Sequence, residues 1–86
     1  MRSEKELWEL VLSRQDLFQF GLCRWVYSLR YNDVITYDEH LLLKSVLYKH
    51  LPEPKFPIVY CWEFGDIQPR IDWINERIKQ LENETI

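Results

Sequence analysis

The chain has 86 residues, of which 47% are hydrophobic, 15% aromatic and 29% charged. Its 14 acidic and 11 basic side chains give a formal net charge of −3. This composition excludes a fibrous or disordered protein, and no apolar run approaches the roughly 18 residues that cross a membrane. The charged N-terminus lacks the apolar core of a signal peptide. We therefore expect one small, aromatic-rich domain over residues 1–86, in the cytoplasm.

The first half of the chain is predicted to form two helices. Ser3 and Glu6 have the spacing of a capping box, in which each residue's side chain accepts from the other's backbone amide. A first helix over about residues 4–15 follows from apolar residues at helical spacing: Leu7, Trp8, Leu10, Val11 and Leu12. A second, over about 17–31 or 21–31, follows from Leu22, Trp25, Val26 and Leu29.

The second half is predicted to hold two more helices with an extended segment between them. Thr36 and Glu39 form a second capping box, which starts a helix over about residues 37–50. A proline-rich stretch then forbids helix. Residues 58–64 are β-branched and aromatic, which indicates a short strand or an extended loop, and a last helix follows over about 69–83. The sequence thus predicts a mainly α, compact four-helix domain with one short extended or β segment.

Residues suited to catalysis are scarce. Cys23 and Cys61 have no neighbour at metal-ligand spacing, so we expect neither a metal site nor a cofactor, and both thiols are expected in the core. His40 and His50 are expected on exposed helix surfaces. A small hydrolase that uses Asp38, His40 or Cys61 is the least favoured hypothesis, and the chain is predicted not to be an enzyme.

The main candidate binding site is the region from Tyr60 to Trp73. The N-terminus of the last helix offers free N–H groups and the positive end of the helix dipole, which suit a phosphate or carboxylate. Arg70 adds a bidentate donor in the first turn, and nearby aromatic planes can stack on a base. The predicted ligand-binding residues are Arg70, Trp62, Trp73 and Tyr60, with Arg24 and Tyr27 from the second helix.

The same residues have a structural alternative. In it, Trp62 and Trp73 fill the core, and Arg70 pairs with Asp66 or Glu63. The second helix also carries residues that form either a positive aromatic strip or an ordinary solvated face: Arg24, Tyr27, Arg30 and Tyr31. Polymeric nucleic acid is not an expected partner, since the net charge is negative and the basic residues are scattered.

Three motifs occur in order over about residues 20–81. They are Gly21-Leu22-Cys23, Ile35-Thr36-x-x-Glu39, and Trp62-x-x-Gly65-Asp66-x-x-Pro69-Arg70-Ile71-x-Trp73-Ile74. In this order they resemble a diffuse family of small bacteriophage proteins that has no settled activity. The resemblance transfers no catalytic residues. It implies an accessory factor that neutralises a host system, either by covering a host protein or by sequestering a small signal.

Two functional hypotheses follow. The first is an anti-defence protein that sequesters a small anionic, nucleotide-type signal in the host cytoplasm. Tight binding of such a polar ligand by such a small domain favours a homo-oligomer, in which two chains build the pocket together. The second hypothesis is a protein–protein inhibitor or adaptor, because tryptophan and tyrosine dominate interface hot spots. Its expected exposed anchors are Trp8, Tyr31 and Tyr48.

Overall fold

The computed structural model describes residues 1–19, 21–50 and 67–84, which hold four α-helices and one short 3₁₀ helix. The helices are α1 (Glu4–Ser13), α2 (Leu22–Tyr31), α3 (Tyr37–His50) and α4 (Gln68–Glu84), and the 3₁₀ helix spans Gln15–Leu17. The predicted mainly α, four-helix class is therefore confirmed. None of the helices in the described ranges is long and apolar enough to cross a membrane. The predicted extended segment, residues 58–64, lies outside the described residues.

Both predicted capping boxes are present. At the start of α1, the Ser3 hydroxyl accepts from the Glu6 amide at 3.2 Å, and the Glu6 carboxylate accepts from the Ser3 amide at 3.0 Å. At the start of α3, Thr36 and Glu39 make the same reciprocal pair at 3.2 and 2.9 Å. Each box satisfies two backbone N–H groups that a helix start would otherwise leave without a partner.

The connection between α1 and α2 differs from the prediction. α1 ends at Ser13, and α2 begins only at Leu22, so the longer prediction of 17–31 is wrong and 21–31 is close. Gly21 caps α2 in an extended conformation, and the 3₁₀ helix occupies part of the interval. The Trp25 indole donates to the Arg14 carbonyl at 3.0 Å, which ties the end of α1 to α2.

The core is formed by apolar residues from all four helices and from Ile35, and it includes most of the apolar residues predicted for the first two helices. Its buried residues are Leu7, Trp8, Val11, Leu22, Trp25, Val26, Leu29, Ile35, Leu43, Val46, Leu47 and Ile74. α4 packs mainly on α1, and α2 packs on α3. The expectation that Trp8 is an exposed anchor is wrong, because its side chain is fully buried and its ring meets that of Trp73 edge-on at 5.4 Å.

Candidate functional site

A cavity of about 390 Å³ lies between α2 and α3. Among the described residues, its wall comprises four side chains from each helix: Cys23, Arg24, Val26, Tyr27, His40, Lys44, Leu47 and Tyr48. This volume falls at the lower end of the range of about 300–1,000 Å³ that is typical of small-molecule sites. The cavity is therefore large enough for a small ligand.

The turn between α2 and α3 explains why these side chains face one another. α2 ends in a Schellman motif. In it, the Val34 amide donates to the Leu29 carbonyl at 2.9 Å, and the Asp33 amide donates to the Arg30 carbonyl at 3.0 Å. Asp33 supplies the required left-handed backbone with a φ of 60°. The short connection makes the two helices an antiparallel hairpin. Residues four apart on one helix then share a face toward the other.

The charged side chains in the cavity wall are all cationic. Arg24 and Lys44 line it, and no carboxylate does so among the described residues. Neither cation forms an ion pair within the described part of the chain, whereas Arg2, Arg14 and Arg77 each hold a carboxylate. Two cations that face a cavity without a carboxylate give it a positive potential, although the whole chain is acidic.

Aromatic rings border the same cavity. Tyr27 is 45% exposed and Tyr48 is 41% exposed, so both rings lie at the surface edge of the cavity. The Lys44 ammonium lies 5.9 Å from the centre of the Tyr48 ring, and the Arg30 guanidinium lies 5.6 Å from that of Tyr27. The wall thus combines positive charge with aromatic faces, which suits an anionic ligand that carries a flat ring.

His40 lies in this wall and not on an exposed surface, so that prediction is wrong. Its ring meets Tyr27 edge-on at 5.9 Å, and its Nδ1 is buried without a hydrogen-bond partner among the described residues. Burial lowers the pKa of His40, and the positive charges of Arg30 and Lys44 lower it further. The imidazole is therefore neutral at neutral pH. The side chain of His50 lies outside the described residues.

The structure places the four predicted ligand-binding residues that it describes in two groups. Arg24 and Tyr27 line the α2–α3 cavity. Arg70 is 4% exposed in the first turn of α4, and Trp73 packs against the core, as the structural alternative for Trp73 predicts. No described residue of α4 lines the cavity, so these two residues do not join Arg24 and Tyr27 there.

The remaining predicted site residues, Tyr60 and Trp62, lie outside the described residues, as do the proposed Arg70 partners Asp66 and Glu63. The predicted core thiol Cys23 is half-buried and lines the cavity, and Cys61 is not described.

Six of the eight cavity residues were absent from the sequence-based site, and three of these carry the polar and aromatic groups of the α3 side: His40, Lys44 and Tyr48. Their spacing of four residues already places them on one helix face. The sequence does not indicate that this face meets the Arg24 and Tyr27 face of α2. That information comes from the packing of the hairpin.

Comparison with known proteins does not add a family to this geometry. No family model matches the chain, and neither a curated protein nor a solved structure is significantly similar to it. In the described part of the chain, no group of three histidine, cysteine, aspartate or glutamate side chains could hold a metal ion. The cavity residues are therefore the basis for inferring a function.

Proposed function

We propose that the protein is a non-catalytic binding protein that holds a small anionic, nucleotide-type ligand in the α2–α3 cavity. The observation that carries the proposal is the pair Arg24 and Lys44, which face a cavity without an acidic partner in its described wall. A phosphate would supply the missing negative charge, and guanidinium and ammonium groups are its usual protein partners. The tyrosine rings would contact the base.

The composition of the wall favours binding over catalysis. General acid–base chemistry usually needs a carboxylate or a histidine with a pKa near the working pH. The described wall offers no carboxylate, and its one histidine, His40, has no hydrogen-bond partner among the described residues to orient its buried Nδ1 for proton transfer. Holding a ligand requires only the charge and the ring faces that the wall provides.

The biological role that we propose follows from the resemblance to small bacteriophage proteins. A protein that holds a nucleotide signal without converting it lowers the free concentration of that signal. In a phage-encoded protein this would act against a host defence in the host cytoplasm. Because the two tyrosines at the edge of the cavity are nearly half exposed, we propose that a second protomer covers the bound ligand. Native mass spectrometry of the protein from its host tests both the oligomer and the adduct.

Isothermal titration with a panel of nucleotides tests the binding site directly. We expect Lys44→Ala and Arg24→Ala each to weaken binding of the best nucleotide about 10-fold or more, since each removes a charge-assisted contact. Lys79→Ala is the matched control, because Lys79 is an exposed cation on α4 that does not line the cavity. Circular dichroism checks that every variant folds. A wild-type protein that binds no nucleotide, or equal affinities for all variants, would contradict the proposal.

Exposed aromatic residues beside the cavity favour a second candidate function, inhibition of a host protein. Tyr31 is 75% exposed and stacks on Tyr27 at 6.3 Å, and Tyr37 is 54% exposed beside Arg30. Tyrosine and arginine are enriched at interface hot spots. In this case the protein would ignore nucleotides, and Tyr31→Ala would weaken its complex with the host protein. The cavity proposal expects Tyr31→Ala to retain most of the nucleotide affinity.

A further inference from the structure

The cavity side chains of α3 follow a definite order along the helix. His40, Lys44 and Tyr48 are each one turn apart, which is about 6 Å along the axis. The cation therefore lies between two rings. In sequence, Lys44 is four residues from both His40 and Tyr48. Its ammonium group lies 5.9 Å from the centre of the Tyr48 ring.

α2 adds one ring and one cation to this series, in the opposite chain direction. Tyr27 meets His40 at 5.9 Å, so these two rings share one end of the cavity. Arg24 precedes Tyr27 by one turn, and in an antiparallel hairpin this places it toward Lys44 and away from His40. The wall thus has rings at one end, cations in the middle and the Tyr48 ring at the other end.

We infer that the ligand is a nucleotide in which a phosphate joins two ring-bearing groups, as in a dinucleotide. This inference depends on the proposed function and specifies its ligand. A bridging phosphate would lie between Arg24 and Lys44, with one base at Tyr27 and the other at Tyr48. A mononucleotide would leave one end of the wall unused. Because Tyr27 and Tyr48 are 45% and 41% exposed, bases can stack on them at the cavity edge while the phosphate lies between the two cations.

The test compares two probes, adenylyl-(3′,5′)-adenosine and adenosine 5′-monophosphate, by isothermal titration. We expect the dinucleotide to bind about 10-fold or more tightly than the mononucleotide, because the second base adds a stacking contact. Tyr27→Leu and Tyr48→Leu should each weaken dinucleotide binding roughly 5- to 100-fold. Only one of them should affect the mononucleotide. Tyr37→Leu is the matched control, since Tyr37 is an exposed tyrosine outside the cavity wall.

The outcomes separate this inference from the function on which it depends. If the mononucleotide binds as tightly as the dinucleotide, or if one tyrosine substitution leaves dinucleotide affinity unchanged, the two-ended ligand is wrong and the anionic-ligand site stands. If neither probe binds and no other nucleotide does, both proposals fail. Thermal unfolding of each variant distinguishes a lost contact from a lost fold.

Discussion

The Glu39 carboxylate shows how one residue can fix a chain end and a helix start together. It accepts from the Arg2 side chain at 2.8 and 2.9 Å, from the Arg2 amide at 3.1 Å and from the Thr36 amide at 2.9 Å. Residue 39 is only 2% exposed, although the Arg2 side chain is 42% exposed. The hydrogen bonds from Arg2 and from these backbone amides lower the pKa of Glu39 to about 2 against burial, which acts in the opposite direction.

This lowered pKa predicts a defined loss of stability in acid. A carboxyl group whose pKa falls from 4.5 to about 2 on folding stabilises the native state above about pH 4.5. The stabilisation is lost as the pH falls from there toward about 2. Glu39→Gln should cost about 1–2 kcal/mol near neutral pH, a value kept small by the solvent that reaches Arg2. Urea unfolding at about pH 7 and about pH 3 measures this cost. The difference in the free energy of unfolding between wild type and Glu39→Gln should be smaller at the lower pH.

Asp38→Asn is the matched control for this prediction. Asp38 is the exposed neighbour of Glu39 in the first turn of α3. Its substitution should change the free energy of unfolding much less at either pH, since surface substitutions usually have small effects. If the free energies of unfolding of wild type and Glu39→Gln differ by the same amount across this pH range, the carboxylate charge does not stabilise the fold.

A polar cluster beside an aromatic pair contributes to the attachment of α4 to α1. Arg77 donates to the Glu4 carboxylate at 2.7 and 3.0 Å, and the Trp8 indole donates to the same carboxylate at 2.9 Å. The Arg77 side chain is 8% exposed and the Glu4 side chain is 17% exposed. Their geometry is bidentate, and the Trp73 ring packs on Trp8. The cluster therefore joins α1 to α4 through residues that are 73 positions apart in sequence.

Removal of Arg77 alone should destabilise the protein more than its loss of charge suggests. Arg77→Met removes a bidentate cation from the partly buried Glu4 carboxylate, which we expect to cost about 2–4 kcal/mol. Glu4→Gln retains an acceptor for Trp8, so the double variant should be more stable than the sum of the single losses predicts. Urea unfolding monitored by tryptophan fluorescence measures this coupling.

Lys79→Met serves as the control on the same helix, because Lys79 is exposed. It should leave the midpoint of unfolding nearly unchanged. Strict additivity of Glu4→Gln and Arg77→Met would mean that the pair contributes no coupling energy to the attachment of α4.

The helices were predictable from the sequence because their signals are local. The capping boxes at Ser3 and Thr36 depend on residues three positions apart, and the apolar stripes depend on residues within two turns. The pairing of the helices depends on contacts distant in sequence, such as Glu4 with Arg77. The position of His40 in a cavity wall depends on the same pairing. The sequence analysis named Arg24 and Tyr27 as ligand-binding residues, but it assigned them to a pocket at the start of the last helix and not to a cavity shared with α3.

Charge is distributed unevenly over the four described helices. α1 and α4, which pack together, carry seven acidic and four basic residues. α2 and α3, which form the cavity, carry two acidic and four basic residues, and one of those acids is Glu39, held by Arg2. An anionic ligand is therefore repelled by one half of the protein and attracted by the other.

This distribution predicts how remote acidic residues affect ligand capture. Asp72 and Glu76 are exposed on α4 and form no ion pair among the described residues. The double substitution Asp72→Asn and Glu76→Gln moves the net charge from −3 toward zero without touching the cavity wall. We expect it to raise the association rate of adenylyl-(3′,5′)-adenosine about 1.5- to 3-fold at low salt, since long-range repulsion slows the encounter. Stopped-flow fluorescence measures this rate.

Salt provides the control for this effect, because screening acts on long-range repulsion far more than on contacts inside the cavity. At about 0.5 M salt the screening length is only a few ångströms, so the rates of the double variant and of wild type should converge. The dissociation rate should remain the same in both proteins at every salt concentration. A change in dissociation rate would place Asp72 or Glu76 in contact with the ligand, and the cavity between α2 and α3 would then not be the site that binds it.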